Sequence, residues 1–180
     1  MKVLTERKDI TQFLSKLLEQ HKLLGVGKYW AKEVTLDYGK SNTRRVDYMQ
    51  FKPINQLSID GLEKGIFICY EIKSCVEDFL SGYGQNFIAE KNYLVMTMHT
   101  YKALNEKGEI NKLPYNVGIL VAMPTKRKYD KNNLVEEYEQ LTSINDTMHD
   151  WYLDTIKPAY QVARQKSMIE LLFCMLRSKH

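Results

Sequence analysis

Apolar residues near the start of the chain follow a helical pattern. Between residues 10 and 24 they recur at intervals of three and four, which predicts an amphipathic helix that ends at Gly25. Three segments rich in the aromatic and β-branched residues of strands come next, with turn-forming residues between them. These segments are residues 29–36, 45–51 and 66–73. We expect them to pair as an antiparallel meander.

Helices and strands alternate in the following part of the chain. The helix after Lys73 must be short, because Gly82 and Gly84 interrupt it. Apolar runs then predict two further strands, and a helical stretch separates them. The strands are expected at residues 92–97 and 117–123, and the helix near residues 101–105.

The last part of the chain, residues 131–180, is predicted to be mostly helical, because apolar residues form a stripe near its end. The order of elements predicts an α/β fold with a helix, a three-stranded antiparallel meander, a helix, a strand, a helix and a strand. Helices would then flank a mixed sheet. We expect one domain over residues 1–180, with its core at about residues 10–123 and the helical C-terminal segment after it.

Composition and charge indicate which general class of protein the chain belongs to. The chain has 180 residues, 44% of them hydrophobic, which suits one domain with a real core. Its formal charge of +4 permits a phosphate-bearing partner without requiring one. Three cysteines without metal-ligand spacing fit a reducing cytoplasm. Charged residues near the start of the chain interrupt any apolar core of a signal peptide. No apolar run approaches the roughly 20 residues that span a bilayer, so we expect no membrane association.

Two charged residues extend a strand that otherwise reads as buried. The apolar run of residues 66–70 continues directly into Glu71, Ile72 and Lys73. Side chains two apart on a strand share a face, so Glu71 and Lys73 point the same way. An ion pair near the end of the strand is one interpretation, because such pairs are common.

Asp47 on the neighbouring strand favours a chemical role. Aspartate is a poor strand former and is rarely buried without a partner. Two carboxylates on adjacent strands suit Mg²⁺, which prefers oxygen ligands, and Asp47, Glu71 and the main-chain carbonyl of Ile72 would supply them. Lys73 would orient the attacking water and balance charge on the transition state. Together, these residues predict phosphodiester cleavage.

The pattern resembles the signature of the PD-(D/E)XK nuclease superfamily, an acidic residue on one strand and Glu-x-Lys on the next. More closely, the chain resembles the MmcB-like DNA repair family, which carries four short motifs in a fixed order. Here they are Glu33-Val34-Thr35-Leu36, Arg44-Arg45-Val46-Asp47, Glu71-Ile72-Lys73-Ser74 and Asp78-Phe79. The resemblance implies a restriction-endonuclease-like core, DNA as substrate, and Mg²⁺ as cofactor, with Mn²⁺ able to substitute. A DNA repair or mobile-element and phage context is expected.

Several residues around this constellation have two interpretations. Glu33 would add a third carboxylate to the metal, or it is a surface glutamate at the start of a strand. Gln85 and Asn86 would reach a phosphate or a base edge, or their amides satisfy local backbone. The residues assigned to nucleic-acid binding are Arg44, Arg45, Ser74, Gln85 and Asn86.

Other functions are compatible with the same fold. The main alternative to a nuclease is a catalytically weak or inactive nucleic-acid binding module, since a fold does not guarantee turnover. A third interpretation is a protein-interaction domain whose contact surface is the C-terminal helical segment. That segment is also the candidate interface of a homodimer. The stretch at residues 126–166 is longer than the resemblance leads us to expect.

Overall fold

Helices and strands alternate along the part of the chain that the computed structural model describes, residues 6–125 and 150–178. Their order is α1 (Arg7–Leu18), β1 (Tyr29–Leu36), β2 (Arg44–Lys52), α2 (Ile59–Glu63), β3 (Ile66–Lys73), α3 (Val76–Leu80), β4 (Lys91–Thr97), α4 (Met98–Glu106), β5 (Val117–Pro124), β6 (Trp151–Lys157) and α5 (Met168–Arg177). A π-helical turn at Glu19–Leu23 prolongs α1. None of the described helices is long and apolar enough to cross a membrane.

The described strands form one six-stranded sheet in the order β1-β2-β3-β4-β5-β6. Strand β2 is antiparallel to both β1 and β3, the strands β3, β4 and β5 are parallel, and β6 is antiparallel to β5. Parallel neighbours need a crossover, which α3 and α4 provide. The predicted α/β class, with a mixed sheet between helices, is confirmed.

Helices from the two ends of the chain cover the sheet. The buried stripe of α1, which includes Phe13 and Leu17, packs against Ile72 and Val95 in one cluster. Leu171 of α5 belongs to another cluster, around β1, β2 and β3. A third cluster connects α4 with β4 and β5. The apolar residues of α1 and α5 have the helical spacing that places them on one face, as packing against a sheet requires.

The structure corrects the predicted helical C-terminal segment. Residues 151–157 are the strand β6, and α5 covers residues 168–177; residues 131–149 of the predicted segment lie outside the described residues. Trp151 and Leu153 point inward and join the core cluster of α1, while pairing with β5 satisfies the backbone. The core therefore extends beyond residue 123.

Residues 158–167 connect β6 to α5 without regular secondary structure; we call this segment the C-terminal strap. Its backbone N–H groups donate hydrogen bonds to carbonyls of earlier segments, Tyr160 to Asn116 and Val162 to Glu90. The side chain of Arg164 also pairs with buried Glu90. These contacts fix the strap without a helix or a strand of its own.

Candidate active site

The candidate site lies where β2 and β3 stop pairing. Their antiparallel ladder ends at Tyr48 and Tyr70. Beyond that pair, Oδ2 of Asp47 accepts a hydrogen bond from the N–H of Ile72 at 2.8 Å. The aspartate therefore satisfies a main-chain donor that has lost its strand partner, and the same bond holds its carboxylate beside Glu71.

Glu71 is a buried carboxylate with an unsatisfied oxygen. The residue is 5% exposed, and its Oε1 has no hydrogen-bond partner within residues 6–125 and 150–178. Burial raises the pKa of Glu71 well above its ordinary value of 4.5, and the charge of Asp47 raises it further, while Lys73 opposes both. A dication fits this pair of carboxylates, because it would supply the missing partner and offset their repulsion.

A glycine-containing loop, residues 82–86, closes over Glu71 and Lys73. The ammonium of Lys73 donates a hydrogen bond to the main-chain carbonyl of Tyr83. Gly84 has a φ of +76°, and a Cβ built there would overlap Oε2 of Glu71. Only glycine accepts both this conformation and this close approach. Lys73 thus directs its charge to the loop instead of closing the ion pair with Glu71 that its spacing allowed.

Ser74 and Asp78 connect the end of β3 to α1. The N–H and the hydroxyl of Ser74 both donate to Oδ2 of Asp78 at 3.1 Å. Arg7 donates to the other oxygen of that carboxylate at 2.7 Å. Ser74, which was assigned to nucleic-acid binding, is buried, and its hydroxyl is engaged in this contact.

The three predicted catalytic residues line one cleft of about 630 Å³. Asp47, Glu71 and Lys73 come from two strands, as their positions in the sequence predicted. Four basic residues, each exposed or half-buried, line the same cleft, and we call them its basic mouth. These are Arg7, Lys32, Arg44 and Arg45. Such a surface attracts phosphate groups.

Glu33 lies at the level of Asp47 on the neighbouring strand, since the residues on either side of it pair with Tyr48 and Val46. Its carboxylate forms an ion pair with Arg45 at 2.7 Å, and both side chains are more than half exposed. Glu33 also lines the cleft. Among the described residues, no group of three or more His, Cys, Asp and Glu could hold a metal ion.

The two amides of the loop have different surroundings. Gln85 donates from its side chain to the carbonyl of Phe79 at 2.7 Å and does not line the cleft. Asn86 lines the cleft and donates to the carbonyl of Arg45 at 2.9 Å. Sequence reasoning did not find Arg7 or Lys32 as members of the site. For Arg7 no local signal exists, because its partner Asp78 lies 71 positions away.

No family model matches the chain, and no curated protein matches it. Among solved structures, the fold is similar to the SPO1766 protein of unknown function from Silicibacter pomeroyi, with a TM-score of 0.51 and 16% sequence identity. The match covers 92% of this chain and 83% of that chain. At this identity the likeness concerns the fold.

Proposed function

We propose that the protein is a magnesium-dependent DNA nuclease with a restriction-endonuclease-like fold, which hydrolyses phosphodiester bonds in a DNA repair or mobile-element and phage context. One observation carries the proposal. Oε1 of Glu71 is buried without a partner, next to Asp47, in a cleft with a basic mouth. The carboxylates of Asp47 and Glu71 suit a metal ion, and the basic residues of the mouth suit a phosphate that binds next to that ion.

Asp47, Glu71 and the main-chain carbonyl of Ile72 would hold the ion, and Glu33 would join them after releasing Arg45. Bound Mg²⁺ or Mn²⁺ would lower the pKa of a coordinated water and draw charge from the phosphate. The chain itself fixes the ligands. The Ile72 N–H positions Asp47, and the backbone of Gly84 leaves no room for Glu71 to move toward the loop.

Lys73 and the basic mouth act on the substrate. In hydrolysis a water oxygen bonds to phosphorus, the bond from phosphorus to the leaving oxygen breaks, and that oxygen takes up a proton. Negative charge accumulates on the phosphoryl oxygens, and the ammonium of Lys73 stabilises it. Lys32, Arg44 and Arg45 would contact neighbouring phosphates and so position the strand without reading its sequence.

The test uses the full chain with linear, nicked, branched and single-stranded DNA at several Mg²⁺ and Mn²⁺ concentrations. Glu71→Gln and Lys73→Met should each reduce cleavage at least about 100-fold. Glu106→Gln and Lys107→Met are matched controls, because both residues are exposed and do not line the cleft. Absence of cleavage on every substrate, or equal rates in the site and control variants, would refute the proposal.

The alternative is a nucleic-acid binding module on the same fold. The basic mouth favours binding whether or not hydrolysis occurs. This alternative predicts DNA binding that persists in chelator and weakens steeply with salt, without cleavage. Cleavage that requires Glu71 and a divalent ion would exclude it.

A further inference from the structure

A second cavity, of about 650 Å³, lies at the opposite end of β2 and β3. Residues 26–28 and 52–57 line this open cavity, together with Gln50 and Tyr70. It has no lining residue in common with the cleft of the candidate active site. Its volume is within the range of about 300–1,000 Å³ that is typical of small-molecule sites.

The charge of this second cavity is uniformly positive. Lys22, Lys28 and Lys52 line it, and no Asp or Glu does. Within residues 6–125 and 150–178, none of these three ammonium groups forms an ion pair, whereas Lys64 and Lys112 each pair with a nearby carboxylate. Three lysines at one cavity without a counter-charge favour an anionic ligand.

Gln50 adds a hydrogen-bond donor to the lining of the cavity. The residue is 5% exposed, and its side-chain oxygen accepts a hydrogen bond from the hydroxyl of Tyr70 at 3.2 Å. Its amide nitrogen has no hydrogen-bond partner among the described residues, although Gln50 lines the cavity. The amide nitrogen is therefore available to a ligand acceptor that reaches it from the cavity.

Apolar side chains complete the lining. Val26, Ile54 and Leu57 are exposed at the walls, next to the amide of Gln56. An anion that also carries a flat apolar ring with polar edges matches such a lining. Nucleoside phosphates have this combination, because the phosphate meets the cations, the base packs on apolar groups, and its edge meets amides.

We propose that this cavity binds a nucleoside phosphate, with the phosphate between Lys28 and Lys52 and the edge of the base at Gln50. The ligand is either a free mononucleotide or the phosphorylated end of a single strand. The proposal is independent of the nuclease function, since it requires no divalent ion and none of the residues of the cleft.

The full chain is titrated in chelator with adenosine monophosphate, because a glutamine amide pairs best with adenine. Parallel titrations use inorganic phosphate and a single-stranded oligonucleotide with or without a terminal phosphate. The double variant Lys28→Ala/Lys52→Ala should weaken binding about tenfold or more. The control Lys8→Ala/Lys107→Ala removes two exposed lysines that line neither cavity, and it should bind as the wild type does.

A second variant tests the amide. Gln50→Leu should weaken binding of adenosine monophosphate and leave binding of inorganic phosphate unchanged. Binding of the mononucleotide identifies a free nucleotide as the ligand, and binding of the phosphorylated oligonucleotide alone identifies a strand end.

Three results would overturn the proposal. In the first, neither adenosine monophosphate nor the phosphorylated oligonucleotide binds. In the others, the control variant loses as much affinity as the double variant, or inorganic phosphate binds as tightly as adenosine monophosphate. Because this binding is measured in chelator and the proposed nuclease requires a divalent ion, such a failure leaves the nuclease proposal in place. Conversely, a protein without nuclease activity would still show this binding.

Discussion

Lys166 and Asp37 lie 129 positions apart in the chain and form an ion pair of 2.8 Å. Both side chains are about 10% exposed or less, and Arg44 reaches the same carboxylate at 2.8 Å. These contacts attach the C-terminal strap to the turn after β1. Asp37 therefore connects the end of the chain to the strand that carries Asp47.

Replacement of Asp37 by asparagine should lower the melting temperature, because Lys166 and Arg44 lose their shared partner. Hydrogen bonds from Lys166 and then Arg44 hold the pKa of Asp37 far below its ordinary value of 3.8. Its stabilising contribution is thus complete above that value and is lost as the pH falls below it. Thermal unfolding should be measured from neutral to acidic pH. The difference in melting temperature between wild type and variant should narrow as the pH falls below 3.8. Asp60→Asn, which affects an exposed ion pair, should change little at any pH.

Glu71→Gln should stabilise the protein while removing its metal response. Because burial and Asp47 raise the pKa of Glu71, the folded wild type retains a proton that the unfolded chain releases above its ordinary value of 4.5. Wild-type stability should therefore fall relative to the variant as pH rises above that value, by up to about 1.4 kcal/mol per pH unit. Added Mg²⁺ should raise the melting temperature of the wild type and not of the variant. Parallel pH curves, or equal responses to Mg²⁺, would contradict this prediction.

Two glycines of one loop allow a matched comparison. Gly82 and Gly84 have φ values of +71° and +76°, but a Cβ at Gly82 meets no atom within 4 Å, whereas one at Gly84 overlaps the Glu71 carboxylate. Alanine should cost each position a similar conformational strain of about 1 kcal/mol. Only Gly84→Ala should abolish the thermal shift with Mg²⁺ and any cleavage. Loss of the metal response in Gly82→Ala as well would show that loop strain, and not contact with Glu71, controls the site.

Arg164→Ala should destabilise the fold by about 3 kcal/mol, because it leaves the buried carboxylate of Glu90 without its cation. That carboxylate pairs with Arg164 and accepts a hydrogen bond from the N–H of Phe67 at 3.0 Å. Chemical denaturation of single and double variants measures the coupling, and Glu90→Gln should make the loss of Arg164 much less costly. Lys64→Ala, at an exposed pair, should change the free energy of unfolding by less than about 1 kcal/mol. A simple sum of the single effects at Glu90 and Arg164 would contradict the assigned pairing.

Local sequence signals were sufficient to predict the strands of the site. Asp47, Glu71 and Lys73 stood out because each is charged within an apolar or β-branched segment, and strand periodicity placed two of them on one face. Periodicity acts over neighbouring residues, so it survives in any fold that uses those strands. The structure accordingly brings all three to one cleft.

Features that depend on distant segments were not predictable in this way. Strand β6 was missed because its backbone partners lie in β5, and the stripe of α5 suggested helix for the whole segment. The contact of Lys73 with the Tyr83 carbonyl depends on two positive φ angles in the loop. The spacing of residues in the sequence predicts neither strand β6 nor this contact, since tertiary pairing and loop geometry override local preference.

The sheet is covered by α1 and α5, the first and the last described helices, and this arrangement affects folding during synthesis. Residues on the face under α5, such as Met49 and Phe67, have no cover until Leu171 and its neighbours are synthesised. A nascent chain that has completed β1 to β5 therefore exposes an apolar face of the sheet to solvent. Such intermediates aggregate or engage chaperones. Folding of this domain should finish only as α5 leaves the ribosome, and a messenger truncated before that helix should give an insoluble product.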